Sequence, residues 1–395
     1  MFGWEFPPVK TGGLGTACAA LTKGLARQGV GVTFVMPIIP ENAKAPFVKL
    51  VGANQFAKNA KVISVPSTLA PYSTSEQYDK NYAPQNMKGI YGKNLVAEAK
   101  RFAQVAKIIA RKEPHDVIHA HDWMTYEAGI EARKVSRKPL VAHIHATEYD
   151  RAAGHPNARI AKLERAGLQE ANIIIANSEY TKRNICKHYK LPARKIRVVH
   201  WGIAYSTKQD QYRSPLSTRH KIVLFLGRLT RQKGIDQFIT VAKNILRFEP
   251  ETLFVIAGDG ELLPRTIHRV QELGIADNVL FTGFLQGNDV NRAFQMADVY
   301  VMPSVSEPFG LVALESLANK TPAIISKQSG VSEVVRHCLK ADSWDVHRMT
   351  DFIVNALRNK ELRDELRENG TAEVRQLTIG SPARAVDKIY GEVSR

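Results

Sequence analysis

The chain is poor in cysteine: only Cys18, Cys186 and Cys338 occur in 395 residues. They are far apart and form no Cys-x-x-Cys pair, which excludes a disulfide framework and a thiolate metal knuckle and points to a reducing, cytoplasmic setting. No stretch of about 18 apolar residues is present, and the start MFGWEFPP lacks a basic segment followed by an apolar run, so neither a membrane span nor a secretory signal is expected. Asp-x-Asp never occurs, and no His, Cys and Asp residues share a ligand spacing, so no essential metal is expected. Internal repeats and low-complexity runs are missing too, which excludes solenoids.

Acidic residues are scarce in one half. Residues 1–215 hold 32 Lys and Arg against 16 Asp and Glu, whereas the remainder holds 23 against 22, so the first half carries nearly all of the net charge of +17. Its basic clusters, RKVSRK at 133–138 and the run from Lys182 to Arg197, suit a solvated surface or an acidic partner. That partner is an anionic acceptor or an anionic membrane surface, to which the protein would bind peripherally. Nucleic acid is not expected, because no binding motif with interleaved aromatics accompanies the charge.

What the sequence does contain is a regular alternation. GVTFVMP, KVISV, DVIHAH, PLVAHIHA, NIIIANS and IRVVHWG read as short buried strands, separated by helical stretches such as the one beginning GKNLVAEAK. After a polar, proline-containing stretch the pattern restarts with KIVLFLG and continues through TLFVIAG, NVLFTGF, DVYVMPS and TPAIIS. Strand-helix alternation implies parallel sheets covered on both faces, and the length favours two such domains. The expected organisation is a first domain over 1–205, a linker over 206–220, a second domain over 221–380 and a final helix over 381–395 that can pack back across either domain. The expected fold class is α/β, two doubly wound Rossmann-like domains with ligand at the carboxyl ends of the strands, in a cleft between them. The first strand has only FGWEF, short enough that a truncated amino terminus is expected.

Three strand-to-helix turns carry candidate chemistry. In KTGGLGTACAALTKGLA, residues 10–26, glycines open a helix whose N–H groups can meet an anion or a sugar hydroxyl, or whose turn simply permits tight packing. It is neither a Walker loop nor a dinucleotide fingerprint. In FLGRLTRQKGID, residues 225–236, Arg228, Arg231 and Lys233 crowd a turn; cations beside a helix start suit a pyrophosphate, and a plain polar loop is the alternative. In SEPFGLVALES, residues 306–316, Glu307 precedes a helix start and Glu315 lies inside the helix. Donors at the helix start favour phosphate and the carboxylates accept from hydroxyls, a combination that suits a nucleotide sugar.

GGLG near the start, GRLTRQKG, and E-x7-E in EPFGLVALE, in that order, together with DVIHAHDW and HATEYDR, resemble the retaining glycosyltransferases of the GT-B fold, specifically the group 1 (GT4-like) family bordering the bacterial glycogen synthases (GT5-like). The resemblance spans essentially the whole chain. It implies that Arg228 and Lys233 bind the donor pyrophosphate and that Glu315 binds the ribose hydroxyls. Glu307 would contact the transferred sugar and support catalysis, with the N–H groups of Phe309, Gly310, Leu311 and Val312 nearby. His145 matches the active-site histidine, Asp122 lies at a comparable strand end, and Gly13 and Gly15 approach the donor from the opposite wall; His143 is read as structural. Trp201 and Ala204 depart from the HNGID of many relatives, and Ser329 stands where many have glycine. The function implied is transfer of a hexose, glucose, from an ADP-, UDP- or GDP-sugar to a glycan, in the manner of glycogen and starch synthases and without an essential cofactor. A lipid or small-molecule glycosyltransferase and a catalytically silent nucleotide or glycan binder are the alternatives; GRLTRQKG with EPFG argues against an epimerase.

Overall fold

In the computed structural model, which describes residues 1–7, 13–37, 39, 45–53, 95–203, 212 and 214–395, the apolar runs are strands and the amphipathic stretches between them are helices. The chain divides into two compact units, Met1–Trp201 with Ile379–Arg395, and Gly202–Thr378. No described helix is long and apolar enough to cross a membrane.

In the first unit, β1 (Thr33–Met36) pairs with β2 (Lys49–Gly52), and β3 (Ile118–His121), β4 (Leu140–Ile144), β5 (Ile173–Ala176) and β6 (Ile196–Val198) follow side by side, all parallel. Phe2 forms single parallel bridges to both Val35 and Ala120 and so joins the two groups of strands. The strand expected over FGWEF is therefore reduced to isolated bridges at Phe2 and Phe6. The strand expected at KVISV lies outside the described residues. Every residue of β3 and β4 is buried, as a parallel sheet covered on both faces requires. The covering helices are α1 (Gly13–Ala26), α2 (Leu95–Lys112), α3 (Trp123–Ser136), α4 (Ala158–Glu170) and α5 (Glu179–Tyr189). Phe102 of α2 meets Phe2 and Trp4 edge-on, with ring centroids 5.9 and 6.0 Å apart, within the core of this unit.

The second unit has a six-stranded parallel sheet in the order β12-β11-β10-β7-β8-β9. Its strands are β7 (Ile222–Leu226), β8 (Leu253–Ala257), β9 (Val279–Gly283), β10 (Val299–Met302), β11 (Ala323–Ser326) and β12 (Leu339–Ala341). Between and after them run α6 (Ile235–Ile245), α7 (Leu263–Glu272), α8 (Asn288–Met296), α9 (Leu311–Ala318), α10 (Val346–Arg358) and α11 (Lys360–Val374). The stretch expected as a linker belongs, where described, to this unit and includes a 3-10 turn at Leu216–Thr218.

The last helix, α12 (Gly380–Val393), groups with the first unit and packs on α1. Pro382 sits in its first turn, where the missing N–H has no intrahelical role.

Candidate active site

Strand order fixes where a site can form. In the second unit the order reverses between β7 and β10, and the carboxyl ends of strands at such a switch point leave a crevice that connecting loops do not fill. The loop after β7 carries Arg228 and Lys233; the loop after β10 carries Glu307 and Gly310. They touch because Gly234 is left-handed, with φ 73°, and has no side chain: a Cβ there would lie 2.1 Å from the Pro303 carbonyl oxygen. Val305 N–H donates to the Gln232 carbonyl at 2.9 Å, and Gln232 Nε2 donates to the Ser306 carbonyl at 3.1 Å.

These contacts bring Lys233 Nζ to 2.5 Å from Glu307 Oε2, which also accepts from Ser304 Oγ at 3.2 Å. Glu307 is only 6 % exposed, so its carboxylate depends on these two donors rather than on water. Its backbone is held from the other side: Glu307 N–H donates to the Gln328 carbonyl at 2.8 Å and its own carbonyl accepts from Gly330 N–H at 2.9 Å, a parallel bridge centred on Ser329. The serine at 329 thus belongs to the backbone mount of Glu307.

Gly310, with φ 106°, turns the chain into α9 and brings no side chain to cap it. A Cβ at this position would meet Met302, Val331 and Glu307 at 3.1 to 3.2 Å. Phe309 is buried and its carbonyl accepts from Val331 N–H at 2.6 Å; Leu311 and Val312 are half-buried at the helix start. Lys233, Ser304, Glu307 and Val312 line a small pocket above Tyr300 and Met302. The Tyr300 phenol is pushed well up by burial and then by the carboxylates of Glu307 and Glu315, which places both acids around one buried point. Glu315 and Arg228 are each half-buried. The arrangement offers a cation and an uncapped helix start to an anion, and carboxylates to hydroxyls.

The remaining sequence-predicted residues lie on the first unit. His119 and His121 alternate onto one face of β3, and the register pairs His121 with His143 on β4, so His119, His121, His143 and His145 form one buried cluster. Asp122 ends β3 with φ 61° and accepts from His145 N–H at 2.7 Å. Burial raises the Asp122 carboxyl to about 6 against the opposing pull of Arg151 and of the His145 and Ala146 N–H groups. Burial lowers His145 to about 3, which keeps its imidazole neutral. His145 Nε2 lies 3.0 Å from His121 Nδ1, and Asn177 Nδ2 donates to the His145 carbonyl at 3.0 Å. Trp201 stacks on both His143 and His145, with centroids 5.4 and 5.5 Å away. Gly13 is exposed and Gly15 buried at the start of α1.

Linear spacing showed no metal-ligating set, but the fold assembles two: Cys18, His121 and His145, and His119, His121 and His143, each with ligand atoms within 4.8 Å of one another. Ser304, Ser329, Tyr300 and Trp201 were likewise not legible as parts of a site. Only the alternation His-x-His on two neighbouring strands could have signalled the imidazole cluster.

Residues 1–208 match the family described as Starch synthase catalytic domain, and residues 207–373 match Glycosyl transferases group 1. The chain is a GT-B-fold glycosyltransferase. Its similarity to an uncharacterized glycosyltransferase of Methanocaldococcus jannaschii is 32 % identity over 353 residues, 85 % of this chain and 82 % of the relative. A glycogen synthase of Mycobacterium tuberculosis is 26 % identical over 348 residues, 85 % of this chain and 79 % of that protein. Among solved structures, sucrose-phosphate synthase from Thermosynechococcus elongatus superposes with a TM-score of 0.78 at 19 % identity, covering 99 % of the glycosyltransferase and 97 % of that chain. The glycosyltransferase uses a nucleotide-sugar donor, the substrate class common to these families.

Proposed function

We propose that the enzyme is a retaining hexosyltransferase that moves glucose from a nucleoside-diphosphate sugar to a glycan, in the manner of glycogen and starch synthases. The observation that carries this reading is the Lys233–Glu307 pair beside the uncapped start of α9. In the reaction the bond between the anomeric carbon and the diphosphate oxygen breaks, and an acceptor hydroxyl arrives on the same face, bonds to that carbon and passes its proton to the departing diphosphate oxygen. Negative charge grows on the departing diphosphate. Arg228, Lys233 and the N–H groups from Phe309 to Val312 stabilise that charge in the transition state, the role a divalent metal has elsewhere, so no metal is essential. Donors already fixed by folding need little reorganisation as the charge develops.

Glu315 accepts from the ribose hydroxyls, and Glu307 accepts from a hydroxyl of the transferred sugar and steadies the anomeric centre. His145, Asp122, Gly13 and Gly15 are the sugar-binding residues of the first unit. Neutral His145 suits hydrogen bonding to a sugar hydroxyl, and the Asp122 carboxyl fixes its backbone. The enzyme works in the cytoplasm.

The net charge of the first half favours a second reading, transfer to an anionic lipid headgroup or a small anionic acceptor at a membrane surface. One assay separates the two: nucleoside diphosphate release from ADP-, UDP- and GDP-glucose, with maltooligosaccharide or with anionic vesicles. Release stimulated by maltooligosaccharide supports the glycan reading. Stimulation only by vesicles, lost at high salt, replaces it with the second. Binding of a donor with no release under any condition makes the protein a silent binder.

A further inference from the structure

The buried imidazole cluster of the first unit reaches one thiol. Cys18, on α1, is fully buried, and its Sγ with one nitrogen each of His121 and His145 forms a set whose members lie within 4.8 Å of one another. Nothing in the proposed reaction uses that thiol. We propose that Cys18, His121 and His145 form a binding site for a soft divalent cation such as Zn2+, and that occupancy inhibits transfer. The inhibitory consequence rests on the active-site role given to His145 above; the site itself does not.

Donor chemistry decides the class of ion. One thiolate and two imidazoles select Zn2+ or Co2+ over Mg2+ or Ca2+, which prefer oxygen. Geometry is close to what such an ion needs. In a tetrahedron with Zn–N of about 2.0 Å and Zn–S of about 2.3 Å, ligand atoms stand about 3.3 to 3.8 Å apart. The two imidazole nitrogens are already 3.0 Å apart, and the thiol needs to close by about 1 Å at most.

The second observation is an unsatisfied ligand. His121 keeps its Nε2 buried and without a hydrogen-bonding partner, while its Nδ1 faces His145. With its proton on Nε2, the His121 ring presents the Nδ1 lone pair to the set, the form of a neutral imidazole that can take a metal. The backbone of His145 is held by Asp122 at its N–H and by Asn177 at its carbonyl, which fixes where its side chain starts.

The neighbouring set of His119, His121 and His143 is the weaker competitor. His119 has both nitrogens engaged, Nδ1 with Tyr390 Oη at 2.6 Å and Nε2 with His143 Nδ1 at 3.2 Å, and that set contains no thiol. Binding at Cys18 releases the thiol proton, shifts the proton between His121 and His145 to the outward nitrogen of its own ring so that both imidazoles stay neutral, and leaves the Tyr390–His119–His143 chain intact. Captured in this way, His145 can no longer turn a nitrogen to a sugar hydroxyl.

The test is a Co2+ titration of the full-length protein read by absorbance, beside Cys18→Ser and Cys186→Ser. The expected result is one Co2+ per chain with an intense thiolate-to-cobalt band in wild type and in Cys186→Ser. In Cys18→Ser, whose side chain is nearly isosteric, the band is lost and affinity falls at least about 100-fold. His121→Gln, checked by circular dichroism for retained fold, is expected to lose the band as well. No band in wild type, or the same band in Cys18→Ser, overturns the site whether or not any donor turns over. In the activity arm, Zn2+ lowers wild-type nucleoside diphosphate release and a chelator restores it, while Cys18→Ser resists; equal inhibition of both proteins overturns the inhibitory role.

Discussion

Lys233 Nζ lies 2.5 Å from Glu307 Oε2 although 74 positions separate the two residues. The pair exists because a doubly wound sheet puts the ends of β7 and β10 side by side, and because Gly234 lets one loop rest on the other. Removing the cation leaves Glu307 buried beside a single hydroxyl and takes a positive charge from the diphosphate site. Lys233→Ala is expected to lower kcat/KM for the donor by about 10²- to 10³-fold, the usual effect of losing one transition-state donor. Steady-state kinetics with the preferred donor check this; an unchanged kcat/KM contradicts the pyrophosphate role.

Gly234→Ala tests the mount rather than the charge. Its Cβ would collide with the Pro303 carbonyl, whereas at Gly274, also left-handed with φ 65°, nothing stands within 4 Å of a Cβ. Gly274→Ala therefore costs only the left-handed strain of about 1–2 kcal/mol, and Gly234→Ala costs clearly more. Denaturant melts of the two variants give the comparison. Equal losses mean that the loop contact does not hold the site.

Trp201 stands where relatives often have asparagine, and the structure gives it a place: it is 4 % exposed and stacked on His143 and His145. Trp201→Ala is expected to cost about 3–5 kcal/mol, the range for large aromatics removed from a core. Thermal unfolding with near-ultraviolet circular dichroism reads the loss, and a change below about 1 kcal/mol contradicts the packing role.

Behind His145, Arg151 pairs with Glu148 at 3.1 Å and with Glu164, which also accepts from Tyr189 and from Glu148 N–H. Arg151→Leu leaves two buried carboxylates without their cation, at a cost of about 3–5 kcal/mol. The sign of its pH dependence follows. Burial raises Glu164, and Arg151 opposes that rise. Without Arg151 the folded carboxyl holds its proton to higher pH than the unfolded one does. The variant's stability is then greatest below the unfolded carboxylate range and falls as pH rises toward 7. Because burial already holds the wild-type Glu164 carboxyl at about 7, chemical melts from pH 6 to 9 are expected to show a deficit against wild type that widens as pH rises past 7; a deficit independent of pH over that range contradicts the argument.

How much of this was legible in the sequence depends on the kind of information required. Buried parallel strands are runs of apolar residues, so KIVLFLG and DVYVMPS announced β7 and β10, and the turns after them announced Lys233 and Glu307. Local periodicity does not encode what meets across the sheet. The hold of Gln328 and Gly330 on Glu307 comes from a loop after β11, and the stack of Trp201 on the histidines from the segment after β6. The Cys18 set needs a helix near the amino terminus laid against two strands about 100 residues later. FGWEF failed as a strand because only Phe2 finds partners on both sides.

The most direct test of the account is Glu307→Ala measured in two ways on one preparation: nucleoside diphosphate affinity by calorimetry, and acceptor-dependent release of nucleoside diphosphate from the donor. The account predicts that affinity stays within a few-fold of wild type while release is abolished. Normal turnover by Glu307→Ala would remove Glu307 from the reaction and with it the proposed active site.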